Sequence, residues 1–211
     1  MNASMHFVPR DLTVLKAFAF KVRVFGQRQL AESFWSGDLA NARRRLRRFA
    51  SVGLVAKSSL MVRPLPDMLS PVCTWKPGYP KPDCSAVSFQ LQSRWRFRAL
   101  RSTVVYRATP LLIDHLGGQQ KSMVSTQVSH DLGVAAVWLW FHRHQPRSAS
   151  AWVGEDMIED VPSHQSQPDA VLVDEQSEPA MLIEFGGDYS AERISTFHED
   201  AVLRGLPYQI W

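Results

Sequence analysis

Three acids in the last third of the chain have the types and spacing to do chemistry. Asp169 opens the apolar run Ala170-Val171-Leu172-Val173, Glu184 closes Ala180-Met181-Leu182-Ile183, and Glu155 lies upstream of both. Two carboxylates on neighbouring strands, with a third on an adjoining helix, can hold Mg²⁺ through hard oxygen ligands. The ion then activates water and stabilises the leaving oxyanion at a scissile phosphate. Asp169 and Glu184 are the candidate metal ligands, and Glu155, Asp169 and Glu184 the candidate catalytic set. Phosphate chemistry also calls for a cation, yet no lysine follows Lys121. Arg193, on the next predicted helix, is the candidate, although Glu192 or Glu199 could equally pair with it. The plainer reading of the acids is that Asp169 holds a turn and Glu184 caps a strand edge.

A second group is cationic. The run Asn41-Ala42-Arg43-Arg44-Arg45-Leu46-Arg47-Arg48 holds five arginines within six residues. At about 100° per residue, Leu39, Ala42, Leu46 and Phe49 share a narrow arc. Asn41, Arg44 and Arg48 point away from that arc, and Arg43, Arg45 and Arg47 flank it. Like charges at i,i+4, such as Arg43 with Arg47 and Arg44 with Arg48, repel and cost stability unless an anion offsets them. Nucleic acid is the expected anion; a solvated charged face is the alternative.

The elements that must position these groups follow from periodicity and turn residues. Leu12, Leu15, Phe18 and Val22 mark a first helix, Gln27 to Phe34 a short second, and Asp38 caps a third that closes at Gly53. Leu54 to Lys57, Met61-Val62 and Val72 to Trp75 read as short strands broken by Pro64, Pro66 and Pro71. Three helices and a hairpin predict a winged helix-turn-helix over residues 1–82. Its third helix, with Asn41, Arg43, Arg44, Arg45, Arg47 and Arg48, would enter the major groove of duplex DNA. Lys57 and Arg63 on the hairpin, and Gln27 and Arg28 at the second helix, would meet phosphates.

Trp75 to Pro82 reads as a linker, and Asp83 caps a helix running to about Arg98. Beyond it come a short strand at Val104 to Tyr106 and helices at Pro110 to Leu116 and Ser129 to His144. A short helix carrying Glu155 over Ala151 to Ile158 follows. Strands at 168–173 and 180–185, a helix at 190–205 and a strand at 207–211 complete the order. His130 reads as a capping or hydrogen-bonding residue. The class is α+β or α/β, with a small mixed α/β domain over residues 83–211.

Charge supports two units. Residues 1–110 carry 19 Lys and Arg against 5 Asp and Glu, and residues 111–211 carry 5 against 15, within a total of only +4. An apolar content of 45% with 21% charged residues excludes global disorder. No stretch approaches about 18 uncharged apolar residues, and the first ten lack an apolar signal segment. A cytoplasmic protein without membrane contact is expected. Cys73 and Cys84 have no CxxC partners, so buried thiols are expected rather than a zinc site.

At Pro168-Asp169 and Glu184-Phe185-Gly186 the acidic half resembles the PD-(D/E)XK nuclease superfamily. That resemblance implies a restriction-endonuclease-like domain and Mg²⁺. The family's third motif carries a lysine where this chain has Gly186, which makes a degenerate, non-catalytic domain the expectation. The whole layout resembles the replication-relaxation family of winged-helix proteins of plasmids and mobile elements. The carriers are Arg44-Arg45-Leu46, Gly53-Leu54-Val55, Ser129 to Leu132, Trp152 to Glu155, Pro168 to Ala170 and Ile183-Glu184. The resemblance implies duplex DNA binding connected with replication or copy control. Two functions stand side by side. One is a DNA-binding accessory or regulatory protein, with a protein partner on its acidic domain and a homodimer on two half-sites. The other is a Mg²⁺-dependent endonuclease targeted by the winged helix.

Overall fold

A computed structural model describes residues 6–119, 127–159 and 166–211. The protein is mixed α+β, with eight α-helices and two sheets among the described residues. None of those helices is long and apolar enough to cross a membrane.

The first helix, α1 (Pro9–Phe20), begins where Asp11 turns its carboxylate back onto the Val8 N–H at 2.9 Å. A two-residue strand, β1 (Phe25–Gly26), leads into α2 (Gln27–Phe34), and α3 (Leu39–Ser51) starts at Asp38, whose side chain accepts from the Asn41 N–H. The apolar arc behaves as its spacing predicts: Ala42, Leu46 and Phe49 are fully buried. Gly53, at φ +77°, turns the chain out of the helix in the left-handed conformation that glycine adopts without strain.

The strand pairing departs from the expected hairpin. The segment after Gly53 is one continuous strand, β2 (Val55–Val62), and β3 (Cys73–Trp75) does not pair with it. Its partner is β4 (Arg101–Ala108), in register from Val55 opposite Ala108 to Val62 opposite Arg101. β4 also pairs with β1 on its other edge, giving the order β1-β4-β2. Pro64, Pro66 and Pro71 cannot donate to a ladder, which favours an excursion over a tight return. β4 supplies an unbroken run of donors to both neighbours.

The excursion joins the second sheet. β3 pairs with β8 (Tyr208–Ile210), and α4 (Cys84–Trp95) packs on α8 (Ala191–Arg204). The sheet order is β3-β8-β7-β6-β5, with β5 Trp152–Gly154, β6 Ala170–Val173 and β7 Pro179–Glu184. Only β7 and β8 run parallel, as a strand–helix–strand crossover through α8 requires. A cut at residue 82 separates β2 from β4 and leaves β3 with the wrong half. Glu155 is likewise displaced from its expected helix: α7 (Pro146–Ala151) ends early, β5 follows, and Glu155 begins a 3₁₀ turn.

One core runs through both sheets. After α5 (Pro110–Leu116), α6 (Val128–His144) lies between them and is apolar on most of its circumference, as a helix enclosed on several sides must be. Its Val128 and Leu132 join Val62 and Val105 of the first sheet, while Phe141 packs edge-on against Trp152 and Trp211 of the second. Phe25, Trp138, Phe141, Trp152, Phe185 and Trp211 belong to one continuous cluster, and the Val128–Leu132 group forms a smaller one beside it.

Candidate functional site

The α3 surface divides its arginines by role. Arg43, Arg44, Arg47 and Arg48 are exposed, and no acidic side chain among the described residues pairs with any of them. Arg44 is held by the Asn41 carbonyl oxygen, and Asn41 in turn bonds Asp38. Arg45 does not belong to this face. Its guanidinium turns inward onto Asp11, which is fully buried, and donates at 2.7 Å to the His6 carbonyl. Arg45→Ala is expected to lower stability by about 2 kcal/mol, because the buried Asp11 carboxylate loses its cation. Arg44→Ala should leave a thermal melt unchanged, and parallel melts of the two variants check the difference.

The other expected phosphate contacts also separate. Arg28 is exposed at the start of α2 and lines one groove with Arg43, and Lys57 is exposed on β2. Lys57 pairs with Tyr106 across the ladder, so it lies on the sheet face on which Tyr106 feels Arg43 and Arg47. Gln27 is buried, with its carbonyl oxygen 3.5 Å from the Tyr106 hydroxyl, so it supports the core instead of meeting solvent. Arg63 leans over the Trp95 ring at 5.4 Å, and its backbone N–H donates to Ser129. It braces the excursion between β2 and β4.

In the acidic half the three sequence-predicted carboxylates come together, but as links in a hydrogen-bonded chain. Gly154 begins the assembly: a Cβ there would meet the Lys21 carbonyl at 2.4 Å, so only glycine brings β5 this close to the end of α1. That approach seats Glu155 and Asp156 over Arg23. The Arg23 Nε donates to Asp156 at 2.9 and 3.1 Å, and its Nη1 lies 2.9 Å from Glu155 and 3.9 Å from Asp131. The Glu155 N–H donates to the Asp169 carbonyl, linking the turn to β6.

Asp169 is buried and saturated. Its Oδ1 lies 2.7 Å from His130 Nε2, its Oδ2 accepts from the Phe185 N–H at 2.7 Å, and its own N–H donates to Glu184 Oε2 at 3.1 Å. Glu184 Oε1 accepts from the Tyr189 hydroxyl, which itself accepts from Arg193 at 2.8 Å. Arg193 thus reaches the network, 3.9 Å from Glu184 with the tyrosine oxygen between them, its guanidinium over the Tyr189 ring. Arg23, Asp131 and Tyr189 were not singled out by sequence reasoning. The charged Arg23 inside the alternating Lys21-Val22-Arg23-Val24 was the available signal.

Burial governs the titration of these groups. It pushes Glu184 up to about 8, with the Asp169 charge adding to the effect. Asp131 rises to about 6 for the same reason, against the pull of Arg23, and Glu155 is also raised. Burial alone would depress His130, but Asp169, Glu184 and Asp131 together raise it to about 9.

Both oxygens of Asp169 and of Glu184 already accept hydrogen bonds, and Glu155 is tied to Arg23. Among the described residues no group of three or more His, Cys, Asp or Glu side chains is arranged to hold a metal. Asp169 and Glu184, the expected ligands, are held here by protein donors. The position of the missing lysine is closed as well: a Cβ on Gly186 would meet Leu91 of α4 at 2.5 Å and Ile210 at 2.8 Å. The neighbouring Gly187, at φ +48°, lies against the Trp95 ring. Compared with known proteins, the chain matches no family model, no curated protein and no solved structure.

Proposed function

We propose that the protein binds duplex DNA through the outer face of α3, with the helices and the β1-β4-β2 sheet acting as a winged helix. The observation that carries this reading is the set Arg43, Arg44, Arg47 and Arg48, exposed and forming no ion pair among the described residues, with Asp38 the acid whose charge Arg44 feels. Their mutual repulsion is relieved when phosphates neutralise them and release counterions. Arg28 and Lys57 extend the same basic surface. An accessory or regulatory role on a mobile element is part of the same proposal. A degenerate nuclease-like domain in the second half agrees with carboxylates whose oxygens the protein itself satisfies.

Fluorescence anisotropy with a short duplex across a salt series tests the proposal. Binding should weaken steeply with salt, and Arg44→Ala with Arg48→Ala should flatten the slope by about 2, since each lost phosphate contact removes about 0.9. Salt-independent binding, or an unchanged slope, would overturn it. In Mg²⁺ or Mn²⁺ a supercoiled plasmid should stay intact. Nicking lost in both Asp169→Ala and Glu184→Ala would instead make the acidic network a nuclease site.

A further inference from the structure

The arginines of α3 face two different grooves. Successive residues on a helix point about 100° apart, so the pair Arg43 and Arg47 and the pair Arg44 and Arg48 form separate rows. Arg43 lines a groove toward β4 with Arg28. Arg44 and Arg48 line another, about 100° round the helix, with residues at the start of α1. His6, Arg10, Trp35 and Asn41 complete that second wall, with the neutralised Arg45, and no acid lines it.

Arg10 is held there although its position is electrostatically poor. It sits in the first turn of α1, where the helix dipole disfavours a cation, and it faces two further guanidiniums across the groove. Its guanidinium stacks 4.7 Å above Trp35, and its Nη1 is 3.4 Å from the Phe34 carbonyl oxygen. The stack fixes the direction of the charge. Trp35 itself is buried beneath it, which leaves no open ring for a base to stack on. The groove measures about 560 Å³. It is an open groove, and its lining of guanidiniums without an acid suits an anion.

We infer that the α1–α3 groove seats the phosphodiester backbone of one DNA strand beside the major groove, with Arg10, Arg44 and Arg48 as the phosphate contacts. This rests on the reading of α3 as the DNA-binding helix, and it adds α1 to the interface. A helix with its side chains is about 10–12 Å across and the major groove about 12 Å wide, so a helix seated there brings the groove beside it within reach of a phosphate wall.

The test compares two charge removals on the same helix. Lys16 is exposed on α1, about 120° round the helix from Arg10 and outside the groove. With the full chain and a short duplex, Arg10→Ala should weaken binding roughly 3- to 10-fold at low salt and flatten the salt slope by about 0.9. Lys16→Ala should change neither, and Arg10→Lys should recover most of the slope. Equal effects of Arg10→Ala and Lys16→Ala, with the wild type still binding in a salt-dependent way, would overturn the groove assignment alone. A wild type whose binding ignores salt would overturn the DNA-binding reading and the groove with it.

Discussion

Arg23→Ala should be among the most damaging single substitutions in this protein, costing about 3–5 kcal/mol. Arg23 is the common cation of Asp131, Glu155 and Asp156, and two of those acids are buried. Removing it leaves three carboxylates facing one another with little water. Asp131 is already strained in this respect: its Oδ2 has no hydrogen-bond partner and is fully enclosed. For a chain of this size the loss corresponds to a fall in Tm on the order of 10 °C. Differential scanning calorimetry near neutral pH measures it, and a shift of only a degree or two would show that the acids do not depend on Arg23. Arg23→Lys should recover only part of the loss, because one ammonium cannot meet Asp156 and Glu155 with the fork geometry that a guanidinium offers.

The second large effect is on the pH dependence of folding. Glu184 holds its proton up to about 8 in the folded protein, against an ordinary 4.5, so between those values the folded state binds a proton that the unfolded chain has released. Its stabilising contribution is complete below pH 4.5 and lost as pH rises through 8. His130 acts in the same direction: with its pKa raised from 6.5 to about 9, its contribution is complete below 6.5 and lost as pH rises through 9. Stability measured by urea titration should therefore decline from about pH 5 to pH 9. Glu184→Gln, which keeps the shape and cannot ionise, should flatten most of the fall below pH 8, on the order of a few kcal/mol. A wild-type profile that rises over this range, or one that the glutamine leaves unchanged, would contradict the assignment of the proton to Glu184.

The parts of this fold that were legible in the sequence are those set by neighbours along the chain. The packing arc of α3, the Asp38 and Asp83 caps and the turn at Gly53 each depend on residues within one or two helical turns, and each stands where its pattern places it. Strand pairing carries no such local mark. Val104, Val105 and Tyr106 gave only the middle of β4, and nothing near them shows that β4 takes its place between β1 and β2. The candidate acids were legible by residue type and by their places on two neighbouring strands. Their occupants were not. His130 and Arg23 reach them from α6 and from just past the end of α1, over separations that no spacing rule spans, and Tyr189, five residues after Glu184, from the loop before α8. The helix expected around Glu155 failed for a related reason, since pairing with β6 holds Trp152 to Gly154 extended.

The excursion between β2 and β4 also sets the order in which the protein can assemble. During synthesis the first sheet cannot close until β4 has emerged, because β1 and β2 touch only through it. β3 waits far longer, since its partner β8 is the last strand of the chain. Throughout that interval β3, and the side of α4 that later packs on α8, have no native cover, and such pairings between distant segments are formed slowly. Refolding should accordingly show the β3–β8 pairing gaining hydrogen-exchange protection late, with Cys73 among the last buried positions to be shielded from a thiol reagent.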